Sequence, residues 1–454
     1  MQNGTTAKRD SFNSRIGFIL ACVGSAVGMG NIWMFPQRFA RGGGVFLILY
    51  IVFALLIAGT GVICEMTFGR GTRAGPVGAF RAAVASRGGS GKLGGILGTV
   101  PVAGSLAMAI GYSVVVGWIL KYTFAALSNT LTTIPDENLG AFFGETARGF
   151  GNNICLWLGI GTALFILIAG VGGGIEKINK VMMPLFFALF LFLGIFAATL
   201  PGTGAGYAQL FHINPADFAN PVIWISALGQ AFFSLSIAGN GTLIYGSYLS
   251  KKENIPSSAI NVAVFDTIAG VLAALVIVPA LAAFGANPAD SANTGPGLMF
   301  VALPALFKSQ MGVFGPYIAI VFFVAVMFAG ITSLINMYEA PIATLQEKLK
   351  LTRVKSCIII GGFALTVSTL IQGIVGEWMD YVSVFVCPLG AGMAGIMLYW
   401  VFGKKWTEKQ IQTGMRKPLP KFLYPLGKYV YCAVCVGVLA IGAVTFVTTG
   451  SSPL

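Results

Sequence analysis

Apolar residues in this chain come in long runs. Between residues 14 and 449, stretches rich in Leu, Ile, Val, Phe, Ala and Gly follow one another, separated by short polar segments. A run of about 20 apolar residues is the length of a helix that crosses a bilayer. The pattern predicts eleven such helices, at roughly 14–36, 43–70, 95–127, 154–172, 178–200, 222–248, 258–285, 315–346, 355–375, 379–403 and 425–449. Residues 201–221 and 297–310 read as outer loops carrying short helices.

Two of the runs are interrupted. The first contains "GSAVGMGNIWMFP" from Gly24 to Pro36, and the sixth contains "SLSIAGNGT" from Ser234 to Thr242. Weak helix formers and a polar amide sit where a spanning helix should be most apolar. Irregular backbone is tolerated at that depth only where it lines a cavity or is buried in protein. Two broken helices five apart are what a five-plus-five inverted repeat produces, with carbonyls and helix ends exposed at the midplane for substrate and ions. Close helix packing through small residues is the other reading, and Gly24-x3-Gly28 fits it. Asn31 and the matching break in helix six favour a binding site.

Composition makes the bilayer the solvent: 56% of the 454 residues are hydrophobic and 9% are charged. The chain opens polar and its first apolar segment lacks a small-residue cleavage site, so no cleavable signal is expected. The formal charge of +13 would suit nucleic acid if it were clustered, but it is scattered through short loops. It sorts instead by side. With the N-terminus in the cytoplasm, 23 of the 28 Lys and Arg residues fall on the inner side, leaving Arg38, Arg41, Lys121, Arg148 and Lys308. Basic loops stay inside, so the N-terminus is expected in the cytoplasm of a multi-pass cell-membrane protein. An odd helix count then puts the C-terminus outside.

All seven cysteines fall in or beside apolar runs. Cys432 and Cys435 have the spacing of a metal-ligand pair but lie within one apolar helix, and read as packing. His212 falls in a loop and carries no assignment.

The motifs "GSAVGMGNIWMFP", "GGG" at residues 42–44, "EMTFGR" at Glu65–Arg70, "FFSLS" at Phe232–Ser236 and "AGITS" at Ala329–Ser333 occur in order across nearly the whole chain. Together they resemble the neurotransmitter:sodium symporter family, in particular its bacterial amino-acid members. The resemblance implies an all-α integral membrane protein with a LeuT-like five-plus-five inverted repeat and broken helices 1 and 6. Residues 14–200 would form the first repeat, 222–403 the second and 425–449 an additional eleventh helix, all in one transporter domain.

Carried over residue by residue, the resemblance implies two sodium sites and no organic cofactor. The first would use Ala26, Asn31, Ser234 and Asp266, completed by the substrate carboxylate. The second would use carbonyls of Gly24, Val27 and Ala329 with the hydroxyls of Thr332 and Ser333. All are oxygen donors, as a hard cation requires. Taken alone, Thr332 and Ser333 would read as bonded back to their own helix.

An L-amino acid would place its carboxylate on sodium and the Tyr112 hydroxyl. Its amine would face carbonyls around Ala26, Phe233 and Ser234 and the Ser236 hydroxyl. The side-chain pocket would be lined by Ser25, Met29, Gly30, Met108, Phe233, Gly239, Ser333 and Met337. Tyr112 reads equally as a packing aromatic. Glycine at 239 and three adaptable methionines suggest room for a large apolar or aromatic side chain.

Gates are implied at both ends. Arg9, Phe12, Tyr248 and Glu347 match the family's cytoplasmic ion pair and its aromatic partners. Outside, the family's arginine position is Met34, while its acidic partner remains as Asp380, so Phe233 is expected to close the pocket largely by packing. Gly174 and Pro184 match a Gly-x9-Pro element whose unwinding would admit water to the second sodium site. An ordinary loop glycine and a helix kink are the plain alternative. Glu65 reads as support for the broken helices, and Glu339 carries no assignment.

Asp266 is the only charge in "INVAVFDTIAGVLAALVIVP". It stands where relatives have a sodium-binding asparagine, and Gly270 stands where chloride-dependent relatives keep a small hydroxyl. The expectation is a built-in carboxylate, ionised with sodium bound and protonated in the empty carrier, and no need for chloride. A permanently protonated aspartate is the alternative. The function implied is sodium-coupled import of hydrophobic or aromatic L-amino acids by alternating access, with amino acid and lipid bilayer as partners and no nucleic acid. A proton-coupled transporter of related fold, using Asp266, Glu65 or Glu339, and an ion channel are the competing readings. No metal cluster or nucleophile–base pair suggests an enzyme.

Overall fold

The computed structural model describes residues 10–237, 241–286, 295–309 and 311–449. Among these, eight helical stretches are long and apolar enough to cross a membrane. Shorter apolar helices, Arg15–Ala26, Asn153–Ile168, Pro221–Ser234 and Gly295–Lys308, complete the bundle. Its outer surface is apolar, with Phe165, Ile195 and Val447 exposed, as lipid-facing helices require.

The first interruption is real. Ser14 caps the helix Arg15–Ala26 by accepting the Gly17 N–H. The helix ends at Val27, whose φ of −72° and ψ of 108° are extended. A wide helical turn, Gly30–Met34, resumes the path and leads into Phe35–Ile57.

Glycines at residues 42–44 make the corner to the second spanning helix. Gly43 has φ +53°, and a Cβ there would lie 2.4 Å from the His212 carbonyl oxygen. That same carbonyl accepts the Gly44 N–H at 2.8 Å. The contribution of His212 at this corner is therefore its backbone.

The second interruption mirrors the first. Pro221–Ser234 stops at Leu235, Ser236 takes a left-handed φ of +54°, and helix resumes at Gly241–Ser247. This resumed half lies directly on Ile63–Thr72. A Cβ on Gly69 would sit 2.0 Å from the Leu243 carbonyl, and one on Gly246 would sit 2.6 Å from that of Met66. Small residues let the two backbones touch.

Thr99–Leu127 and Gly315–Leu349 run along one another and wall the breaks. Ser105 Oγ donates to the Met337 carbonyl at 2.8 Å, and the Ser113 and Tyr338 hydroxyls pair at 2.7 Å. Glu176–Ala198 closes the side next to Arg15–Ala26 and carries Pro184 within it. The two expected loop regions contain short helices, Gly204–Phe211 and Leu303–Ser309.

Candidate functional site

The residues expected at the first sodium site converge. Asp266 is fully buried on Ile255–Ala283. Its Oδ1 accepts Asn31 Nδ2 at 2.8 Å and Ser234 Oγ at 2.8 Å, and its Oδ2 accepts the Tyr50 hydroxyl at 2.7 Å. Asn31 Oδ1 holds the break itself, accepting the Gly28 N–H at 3.0 Å. Ala26 lines the adjoining cavity with Asn31 and Ser234. Beside Asp266, a Cβ on Gly270 would meet the Phe35 ring at 2.9 Å. That ring stands edge-on to Tyr50, 4.8 Å between centroids.

Of the five oxygens expected at the second site, the Ser333 hydroxyl joins the two carbonyls of the first break, and the Thr332 hydroxyl lies beside the Ala329 carbonyl. Ser333 Oγ donates at 3.1 Å towards both the Gly24 and the Val27 carbonyls. Thr332 Oγ1 bonds back to Phe328 at 2.9 Å and to Ala329 at 3.2 Å. Thr332 thus bonds back to its own helix while its Cβ stands against Gly24, 3.0 Å from where a Cβ there would lie.

Between the two clusters lies a cavity of about 50 Å³ in this conformation. Ser25, Ala26, Met29, Gly30, Met108, Tyr112, Phe233, Ser234, Ser236, Ser333 and Met337 line it. Of the expected pocket residues, Gly239 lies outside the described residues. Tyr112 is oriented by more than packing: its hydroxyl accepts the Met29 N–H at 3.1 Å. Ser236 Oγ donates to the Ser25 carbonyl at 2.6 Å, tying one break to the other. The left-handed turn at Ser236 aims that hydroxyl.

Phe233 stands between two cavities. Its ring packs on Gly30, where a Cβ would come within 3.0 Å. It borders both the inner cavity and a second one of about 220 Å³, lined also by Trp33, Met34, Trp118 and Asp380. Met34 and Asp380 thus share the outer cavity. The cation nearer this break is Arg38, whose Nη1 donates to Gln230 Oε1 at 3.0 Å. Gln230 Nε2 in turn donates to the Gly30 carbonyl at 3.1 Å.

At the N-terminal end, the structure gives Glu339 a role the sequence did not. Glu339 is fully buried and accepts Arg353 Nη2 at 2.7 Å, Arg353 Nη1 at 3.1 Å and the Tyr248 hydroxyl at 2.5 Å. Arg353 also pairs with Asp10 at 3.5 Å. Phe12 packs edge-on against Tyr245 and Tyr248. Glu347 Oε1 accepts the Gly75 N–H at 2.7 Å. Its expected partner, Arg9, lies outside the described residues. Glu176 accepts the Asn13 N–H and the Ser14 hydroxyl, fastening this segment to the helix of Pro184. Gly174 lies in the turn Val171–Ile175, which runs on into Glu176–Ala198, so the Gly-x9-Pro element is wound here. Glu65 accepts the Thr242 hydroxyl at 2.5 Å and so does support the sixth helix's break.

Sequence reasoning missed Tyr50, Gln230, Arg353 and the cavity residues Ser105, Asn336 and Cys387. One signal was available. Arg38 is among the few cations that fall outside the expected basic loops, and such a charge beside an apolar run asks for a partner.

Comparison with known families matches residues 9–136 and 149–452 to the sodium:neurotransmitter symporter family. The chain belongs to this family. It is accordingly a sodium-dependent transporter and not an enzyme. The uncharacterized sodium-dependent transporter YhdH of Bacillus subtilis is 35% identical over 335 residues, 73% of this chain and 71% of that protein. One from Methanocaldococcus jannaschii is 30% identical over 424 residues, 87% of this chain and 82% of its own length. Among solved structures, MhsT in complex with L-phenylalanine superposes with a TM-score of 0.81 at 31% identity, covering 95% of this chain and 99% of that one. The family member therefore has the LeuT-like fold expected from its paired breaks.

Proposed function

We propose that this symporter imports L-amino acids with large apolar or aromatic side chains, coupled to two sodium ions and independent of chloride. The observation that carries the reading is the convergence of both helix breaks on one cavity with hard oxygen donors on either side and methionines between. The likeness to a protein solved with L-phenylalanine supports the substrate class. Residues 14–200 and 222–403 act as the two repeats, with 425–449 added, in one domain of the cell membrane. The N-terminus is cytoplasmic and the C-terminus extracellular.

The substrate carboxylate completes the first sodium site and accepts from the Tyr112 hydroxyl. The amine faces the carbonyls exposed at Ala26, Phe233 and Ser234. Met29, Met108 and Met337 reshape around the side chain, because an unbranched thioether adopts many rotamers. Phe233 closes the outer side. On the inner side, release of Phe12 and of the Asp10–Arg353–Glu339–Tyr248 chain frees the first helix to move. Unwinding between Gly174 and Pro184 then lets water reach the second sodium.

Asp266 supplies a fixed negative charge to the first site. Three donors aimed at its two oxygens suit the ionised form, which only accepts. The Phe35 ring fills the space beside Gly270, leaving little need or room for a free anion. In the empty carrier Asp266 takes a proton and carries it outward, so uptake is accompanied by proton export.

The test is uptake of labelled leucine into proteoliposomes, competed by each of the twenty amino acids. The reading predicts that phenylalanine, tryptophan, leucine and isoleucine compete best. Glycine or alanine as the best competitor would refute the pocket assignment.

A further inference from the structure

Asn179 is fully buried on Glu176–Ala198, between Gly174 and Pro184. Its Nδ2 donates to the Ile175 carbonyl, one turn back, at 2.8 Å. That bond fixes the amide's orientation, because a carbonyl needs a donor facing it. The Oδ1 therefore points the other way, into the protein, and it has no hydrogen-bond partner among the described residues.

What it meets is Gly24, one of the residues expected at the second sodium site. A Cβ built on Gly24 would lie 2.0 Å from Asn179 Oδ1 and 3.0 Å from Thr332 Cβ. The unpaired oxygen thus reaches into the seam where the first helix meets the helix of Thr332 and Ser333. Glycine at position 24 keeps that seam open for it. A buried amide oxygen without a donor is otherwise an expense the fold would avoid.

We propose that Asn179 is a further oxygen ligand of the second sodium site, contributed by a third helix. The inference rests on the reading of that site given above. Amide oxygens suit a hard cation. The consequence is specific to this helix. With sodium bound, Asn179 holds the wound form of the segment between Gly174 and Pro184 against the first and eighth helices. When that segment unwinds, the Ile175 carbonyl and the Asn179 amide separate and the ion loses a ligand. Opening of the water path and weakening of sodium binding would then be one event.

The experiment is equilibrium binding of radioactive sodium to the purified full-length protein, with thermal unfolding followed across a sodium titration. Asn179→Ala is expected to raise the half-saturating sodium concentration roughly tenfold, the scale of losing one supporting group at a metal site. Asn179→Asp, which keeps the shape and the oxygen, is expected to bind sodium at least as well as the native protein. Asn179→Leu should behave as Asn179→Ala does. A melting point lowered equally with and without sodium, with unchanged sodium binding, would show a packing role and overturn the inference. So would Asn179→Asp binding no better than Asn179→Ala. Thr332→Ala separates the two levels of argument. If it weakens sodium binding and Asn179→Ala does not, only this inference falls. If neither does, the second site itself is misassigned.

Discussion

Tyr50 donates its hydroxyl hydrogen to Asp266 across 2.7 Å, in a place where both side chains are fully buried. The two residues lie 216 positions apart in the chain. Their bond holds the carboxylate so that one oxygen faces Asn31 and Ser234 while the other is fastened from behind. Tyr50→Phe removes that donor without changing the packing of the ring. It should weaken sodium binding about ten- to a hundredfold, the order expected for a hydrogen bond to a charged group, about 1.5–3 kcal/mol. A sodium titration of substrate binding measures it, and an unchanged curve would leave Tyr50 without a part in the site.

Asp266→Asn removes the fixed charge but keeps the shape. The variant should bind sodium more weakly and respond to added chloride, whereas the native protein should transport equally in chloride and in gluconate. Substrate uptake in the two salts reads this out. Full native activity in the variant would take Asp266 out of the mechanism.

Arg353 and Glu339 form a pair whose removal by halves should be costly. Arg353→Ala leaves Glu339 buried beside Tyr248 without its cation, and loss of one partner of a buried pair costs about 3–5 kcal/mol. A clearly lowered melting temperature is expected. Glu339→Gln combined with Arg353→Met should recover much of it, yet leave the inner side open more often, seen as faster labelling of cysteines introduced along Arg15–Ala26. If the double variant labels like the native protein, the pair is structural only.

Gly239 is the glycine from which the sequence leads one to expect room for a large substrate side chain. Gly239→Phe should cut aromatic substrates more than small ones, since forcing extra volume into a packed site costs about 1–3 kcal/mol. Competition of leucine uptake by phenylalanine and by alanine gives the ratio. Equal losses for both would separate Gly239 from substrate choice.

Much of the fold was legible because bilayer helices announce themselves by length, and the two breaks by glycines and an amide in apolar runs. Asp266 was legible as a lone charge. Tyr50 was not, because a tyrosine in an apolar segment is ordinary until its partner on another helix is known. Arg353 falls in a basic stretch between two apolar runs, at the start of the helix Arg353–Leu370, and reads in sequence as one more loop charge. Glu339 showed only as an unexplained acid, since the cation that explains it follows the next turn of chain. Asn179 falls in "EKINKVMMP", where an asparagine reads as part of a polar helix start. Only three-dimensional packing shows that its oxygen faces Gly24.

The central claim is that an inward sodium gradient drives import of a large apolar amino acid through one closed site. Its most direct test is uptake of labelled phenylalanine into proteoliposomes of this protein, under an imposed sodium gradient, an imposed proton gradient or neither, with chloride replaced throughout. The account predicts concentrative, saturable uptake with the sodium gradient alone, and exchange of internal unlabelled for external labelled substrate. Uptake driven by the proton gradient without sodium, or flux that neither saturates nor exchanges, would contradict it.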